Sequence, residues 1–301
     1  MKPRRFAFLA VLAVMLLSAP VTAAPPLRVL ASFLPMYVFT INVVGEAPGV
    51  TVDLMLPASL GCPHDYALTP SDMRKIASAD LLVMNGRGME EFLGAPVRKA
   101  NPRLRVVETA SSVIPLRETH GGGGHAHGPV ETNPHTWVSP RNAILQVRAI
   151  EKALSDASPR NAGRFHANAD ACVRRLETLD REYAEEAGKF RRRNIVTFHN
   201  VFDYLARDYG LVIVGEVENT PGQEPSAGEI RRLVRTIREK GVPAVFAEPQ
   251  YSPRIAEVIA REAGVPVRVL DPATTGSMAP TGYEEAMHRN LKTLKEALSG
   301  P

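Results

Sequence analysis

Short apolar runs rich in Val, Ile and Leu alternate with amphipathic stretches along most of this chain. Eight runs read as strands: 27–32, 50–56, 81–85 and 105–108 in the first half, then 195–198, 211–216, 244–247 and 267–270 in the second. The stretches between them repeat apolar positions at three-to-four spacing. Ile230, Leu233, Val234 and Ile237 mark one helix between Ser226 and Lys240, stopped by Gly241. Thr69-Pro70-Ser71-Asp72 marks the start of another, with a hydroxyl cap and then a proline in the first turn, where a missing N–H costs nothing. Residues 158–190 carry a single apolar stripe of Phe165, Ala169, Val173, Leu176, Leu179, Tyr183 and Ala187 among charged positions. That stripe predicts one helix of about 45 Å at ~1.5 Å per residue. Strands alternating with helices predict parallel sheets, and two such sets predict an α/β fold of two doubly wound lobes bridged by the long helix. The N-terminal α/β lobe then spans 25–157, the linking helix 158–190 and the C-terminal α/β lobe 191–301.

Residues 1–24 stand outside the alternation. Lys2, Arg4 and Arg5 precede an apolar run over 6–17, too short to span a bilayer, and small residues follow up to Ala23-Ala24. This is the pattern of a secretory signal peptide, so the chain is expected to be exported, without stable membrane insertion after cleavage. Those three cations carry most of the +4 net charge, so the remainder is close to neutral and offers little for nucleic acid. The run Arg191-Arg192-Arg193 reads as a solvated helix end. There are two cysteines, Cys62 and Cys172. An oxidising compartment allows them to pair. Cys62, two residues before His64, has metal ligation as an alternative and a free thiol as a third.

The candidate chemistry lies where strands give way to loops. His64 follows the second strand in C-P-H-D-Y, His135 sits in N-P-H-T-W ahead of a helix start at Ser139-Pro140, and His199 directly follows 195–198. Asp271 follows the last strand in V-L-D-P. In open parallel sheets, ligands bind outside the carboxyl ends of the strands. Two of these residues from each lobe would meet in the cleft between them. Three imidazoles and one carboxylate suit tetrahedral Zn²⁺, with Mn²⁺ as the intermediate alternative, whereas Mg²⁺ and Ca²⁺ sites offer mostly oxygen. His166 and His288 lie on helical patterns and read as surface residues. The Gly-rich stretch 118–131 holds His120, His125 and His127 and predicts an accessory, transient metal-binding loop. A zinc hydrolase is the competing class, with Glu248 or Glu218 as base, but no H-E-x-x-H pair is present.

Several motifs together resemble a known family: P-H-D-Y-A-L-T-P-S-D at 63–72, A-D-L-L-V-M-N-G-R-G-M-E at 79–90, N-P-H-T-W-V-S-P at 133–140, P-G-Q-E-P-S-A at 221–227 and F-A-E-P at 246–249. They resemble the periplasmic binding proteins of bacterial ABC transporters for zinc and manganese, the group with the zinc-uptake and TroA-like proteins. The resemblance implies two α/β lobes bridged by one long helix, with His64, His135, His199 and Asp271 holding the metal between them. It implies a monomeric receptor that delivers its ion to a membrane permease and is not an enzyme. His at 199, where manganese members tend to carry Glu, and the His-rich loop both point to zinc. Cys62 departs from the Asp or small residue common at that place.

Overall fold

The computed structural model describes residues 25–63, 66–117, 132–218 and 223–300. The expected signal peptide over 1–24, His64 and the loop histidines His120, His125 and His127 lie outside the described residues. Eight strands appear in the expected places: β1 (Leu27–Ala31), β2 (Val50–Leu54), β3 (Leu81–Met84), β4 (Arg105–Glu108), β5 (Asn194–Thr197), β6 (Val212–Glu216), β7 (Val245–Ala247) and β8 (Val267–Val269). They form two four-stranded sheets, ordered β2-β1-β3-β4 and β6-β5-β7-β8. Every pairing is parallel, with Leu27 against Val50 and Val29 against Leu81 in the first sheet, and Val196 against Val245 in the second. Each order reverses once, between β1 and β3 and between β5 and β7. That reversal opens a crevice at the carboxyl ends of the two central strands.

Nine helices are described: α1 (Leu34–Val44), α2 (Pro70–Ser78), α3 (Gly94–Ala100), α4 (Pro140–Ala157), α5 (Ala162–Gly188), α6 (Asp203–Tyr209), α7 (Ala227–Glu239), α8 (Arg254–Ala263) and α9 (Gly282–Leu298). Helices α2 and α7 start on capping boxes, Thr69 with Asp72 and Ser226 with Glu229, in which each side chain satisfies the other's backbone N–H. Helix α1 buries residues all round, as expected of a helix packed between other elements.

The long helix is α5, whose 27 residues span about 40 Å. Its whole predicted stripe is buried, and Cys172 joins it. The start differs from the expectation. The helix begins at Ala162 and not at 158: the Ser158 hydroxyl accepts the Asn161 side-chain amide, and a 3-10 turn over Pro159–Asn161 comes before the helix. That turn folds α4 back along α5, and the ion pairs Arg141–Asp180 and Arg148–Asp170 show the antiparallel register.

One continuous core runs through the first sheet, α1, α4, α5, α9 and one side of the second sheet. A smaller core lies on the other side of the second sheet, under α7 and α8. Trp137, fully buried, joins the lobes: its indole N–H donates to the Pro272 carbonyl at 2.7 Å, and its ring meets Phe33 edge-on at 4.8 Å. The buried Tyr283 hydroxyl donates to the Trp137 carbonyl at 2.7 Å. Among the described residues, no helix is long and apolar enough to cross a membrane.

Candidate metal centre

His199 stands just beyond the carboxyl end of β5, in the crevice of the second sheet. Its side chain is 1% exposed. Its Nδ1 lies 2.6 Å from Glu248 Oε1, and Glu248 follows β7 on the other side of the strand-order reversal. The second oxygen of Glu248 accepts the Gln250 amide at 2.6 Å. With Nδ1–H given to the carboxylate, the free lone pair falls on Nε2. That atom is buried and has no hydrogen-bond partner among the described residues. An unpaired buried nitrogen normally costs free energy, so its lone pair fits a bound cation. Burial pushes the imidazolium of His199 down, but the negative charges of Glu248, Glu216 and Glu218 outweigh it and raise His199 above the ordinary histidine range.

His135 enters from the first lobe, fully buried. Its support is neutral. Asn133 Oδ1 accepts both the backbone N–H and the Nδ1–H of His135, each at 2.9 Å. Asn133 is anchored across the lobe boundary, with its amide donating to the Asn200 carbonyl at 2.7 Å and to Asp203 at 2.9 Å. Asn85, at the end of β3, grips the segment on both sides of the imidazole. It donates to the Pro134 carbonyl at 2.8 Å and accepts the Thr136 hydroxyl at 2.7 Å. The Nε2 of His135 is thereby turned inward, and the rings of His135 and His199 lie 5.3 Å apart at 76°.

The third group brought here is Cys62. Its Sγ lies 3.6 Å from His135 Nε2. The candidate ligand atoms of Cys62, His135 and His199 all fall within 4.8 Å of one another. Gly61 makes the approach possible: at φ 87° it takes a left-handed turn, and an added Cβ would meet the Gln250 side chain at 3.1 Å. The two cysteines are not bonded to each other, and Cys172 is buried in α5.

Asp271 lies just past the end of β8, as its place in the sequence implied, but outside this group of three. One carboxylate oxygen accepts the Ala273 N–H at 2.8 Å, a local turn that supports Ala273 at φ 59°. The other lies 3.3 Å from Arg289. His166 and His288 are exposed and pair with Glu151 and Glu182 respectively. An open groove of about 640 Å³, lined by Ala58, Ser59, Pro249, Gln250, Thr275 and Gly276, lies where the lobes meet and leads along Gln250 toward Glu248.

Motif reading missed Asn133 and Asn85 as supports and considered Glu248 only as a base. Their positions offered a signal: Asn85 and Glu248 each directly follow a central strand at a strand-order reversal.

Two lobes with buried imidazoles turned toward one another describe a cleft for a cation. The family model for the periplasmic component A of the zinc-uptake complex matches residues 29–297. The chain belongs to the ZnuA family. Within it, the chain is 32% identical over 285 residues to the high-affinity zinc uptake system protein ZnuA of Bacillus subtilis, covering 90% of this chain and 88% of that one. It is 30% identical over 283 residues to the zinc-binding lipoprotein AdcA of Streptococcus pneumoniae, covering 90% of this chain but only 55% of the relative. The chain thus spans about half the length of the streptococcal relatives it matches. Among solved structures, a crystal structure of ZnuA aligns with a TM-score of 0.80 at 28% identity, covering 91% of this chain and 100% of that one. FpvC of Pseudomonas aeruginosa in complex with Mn²⁺ aligns at 0.78 and 29% identity, covering 91% and 98%. The ZnuA family is a periplasmic, metal-binding transport family and not a family of enzymes.

Proposed function

We propose that this chain captures Zn²⁺ outside the cytoplasm, between its two lobes, and delivers it to the permease of an ABC transporter. The buried, unpartnered Nε2 of His199, set opposite His135, carries the reading. His135 and His199 supply one neutral nitrogen from each lobe. His64, on the Pro63-flanked segment after β2, supplies a third. Asp271 and Cys62 compete for the fourth position. The signal peptide directs the chain to the periplasm, and it works there as a monomer without membrane insertion. The lobe boundaries proposed are 25–157, 158–190 and 191–301, and the loop 118–131 serves the main site as an accessory.

Nitrogen-dominated ligation favours Zn²⁺ over Mn²⁺. A hydrolase would need a free general base beside an open metal position. Glu248 has both oxygens engaged, by His199 and Gln250. Capture therefore suits the centre better than catalysis.

The test is a competition titration of the metal-stripped chain with Zn²⁺ against Mn²⁺, beside the same chain lacking 118–131. One tight zinc site surviving the deletion, with far weaker Mn²⁺, is expected. Preference for Mn²⁺, or loss of tight binding along with the loop, would overturn the cargo or the site.

A further inference from the structure

We infer, on the reading of this centre as a capture site, that the Cys62 thiolate is itself a ligand of the metal and tilts the site toward Zn²⁺ over Mn²⁺. Zinc bonds of about 2.3 Å to sulfur and 2.0–2.1 Å to nitrogen, at a tetrahedral angle, set the two ligand atoms about 3.6 Å apart. Cys62 Sγ and His135 Nε2 stand 3.6 Å apart. The neighbouring ligand atom of His199 falls within the same 4.8 Å group. The second, independent mark of a ligand is the buried Nε2 of His199, which lacks a protein partner among the described residues.

The surroundings are built for this placement. Asn133 and Glu248 occupy the Nδ1 atoms of the two imidazoles, so Nε2 is the atom that each ring would offer to a metal. The left-handed turn at Gly61, tight against Gln250 of the other lobe, fixes where Cys62 leaves the backbone. Asp271 already has a local task, bracing Ala273.

On ligation the Cys62 S–H bond breaks, the proton goes to solvent and the electron pair forms the sulfur–metal bond, with no change of oxidation state. The thiolate brings a negative charge to a centre whose imidazoles are neutral. Sulfur is a poor ligand for Mn²⁺, which prefers oxygen, and a good one for Zn²⁺.

The experiment is the absorption spectrum of the metal-stripped chain loaded with Co²⁺, followed by Zn²⁺ and Mn²⁺ titrations of wild type and Cys62→Ser. Visible d–d bands report tetrahedral capture whatever the ligands, and a near-ultraviolet thiolate-to-cobalt band reports sulfur alone. Cys172 is a silent control, because burial pushes its thiol up to about 12 and it sits inside α5. Both kinds of band are expected in wild type. In Cys62→Ser the near-ultraviolet band should vanish while the d–d bands persist. Zinc affinity should fall by more than the ~10–100-fold that loss of an outer partner costs, and Mn²⁺ affinity should fall less. Tetrahedral d–d bands without a sulfur band in wild type would overturn Cys62 ligation and leave the capture site standing. No retention of Co²⁺ or Zn²⁺ at one per chain would overturn the capture reading itself, and this inference with it.

Discussion

Both sheets place a glutamate at the point where their strand order reverses, and the two carboxyls do opposite work. In the first sheet, Glu90 bridges the ends of β1 and β3. It accepts from the Ser32 hydroxyl at 2.8 Å and from the backbone N–H groups of Asn85 and Gly86 at 2.7 and 2.9 Å. Burial raises its carboxyl to about 7, and these three hydrogen bonds recover only part of that shift. In the second sheet, Glu248 bridges the ends of β5 and β7 by way of the His199 imidazole. One carboxyl has neutral hydrogen-bond donors and the like charge of Glu108 for company, and tends to hold a proton. The other has a basic ring and raises that ring's own affinity for one. The same kind of crevice is thus a structural clasp in one lobe and a support for a candidate ligand in the other, and the glutamates reach it differently: Glu248 directly follows β7, whereas Asn85 directly follows β3 and Glu90 comes later. Where β1 leads into Ser32, β5 leads through Phe198 to His199.

The largest expected effect breaks the donor half of this comparison. His199→Ala or His135→Ala should weaken Zn²⁺ by about 100-fold or more, since a structural zinc site gains roughly 10–16 kcal/mol shared among about four ligands. Unchanged isothermal titration curves for both variants would remove the centre from the cleft.

Next comes the clasp. A carboxyl raised from 4.5 to about 7 is protonated in the folded chain while already ionised in the unfolded one between those values. Its stabilising contribution is therefore full below the unfolded value and lost as pH rises through about 7. The loss is at most about 3 kcal/mol. Glu90→Gln should flatten this part of the stability–pH curve in urea unfolding between pH 5 and 8. A variant with the wild-type slope would mean that Glu90 ionises normally.

The support half follows. Glu248→Gln should cost about 10–100-fold in zinc affinity, as losses of outer partners do. It should also move the pH at which binding fails. A proton on Nε2 of His199 excludes the metal, and the raised affinity of this ring for protons makes competition set in above the ordinary histidine range as pH falls. Without the carboxylate that onset should shift to lower pH, which titrations at several pH values would detect.

Asn133→Ala gives the smallest effect, about tenfold in affinity. It should leave the pH onset in place, because the amide is neutral. A pH shift as large as that of Glu248→Gln would erase the contrast between the two supports.

The hydrophobic pattern by itself determined the eight strands, the parallel sense of both sheets and the long helix. Burial on both faces writes a near-continuous apolar run for a buried parallel strand, and a long stripe for a helix packed along one side. The start of α5 was not legible, because Ser158-Pro159 reads equally as a helix cap and as a tight turn; packing of α4 against α5 chose the turn. Candidate donors were legible as residue types just after strands. Their support was not. The Asn133–His135 bond is local, but Asn85 to Pro134, Glu248 to His199 and Gly61 against Gln250 join residues far apart in the chain. Whether Cys62 stands among the imidazoles while Asp271 turns to Ala273 and Arg289 was likewise a matter of how the lobes meet. Local patterns reflect burial along one element, whereas a metal centre depends on distances between elements, and only the folded chain sets those.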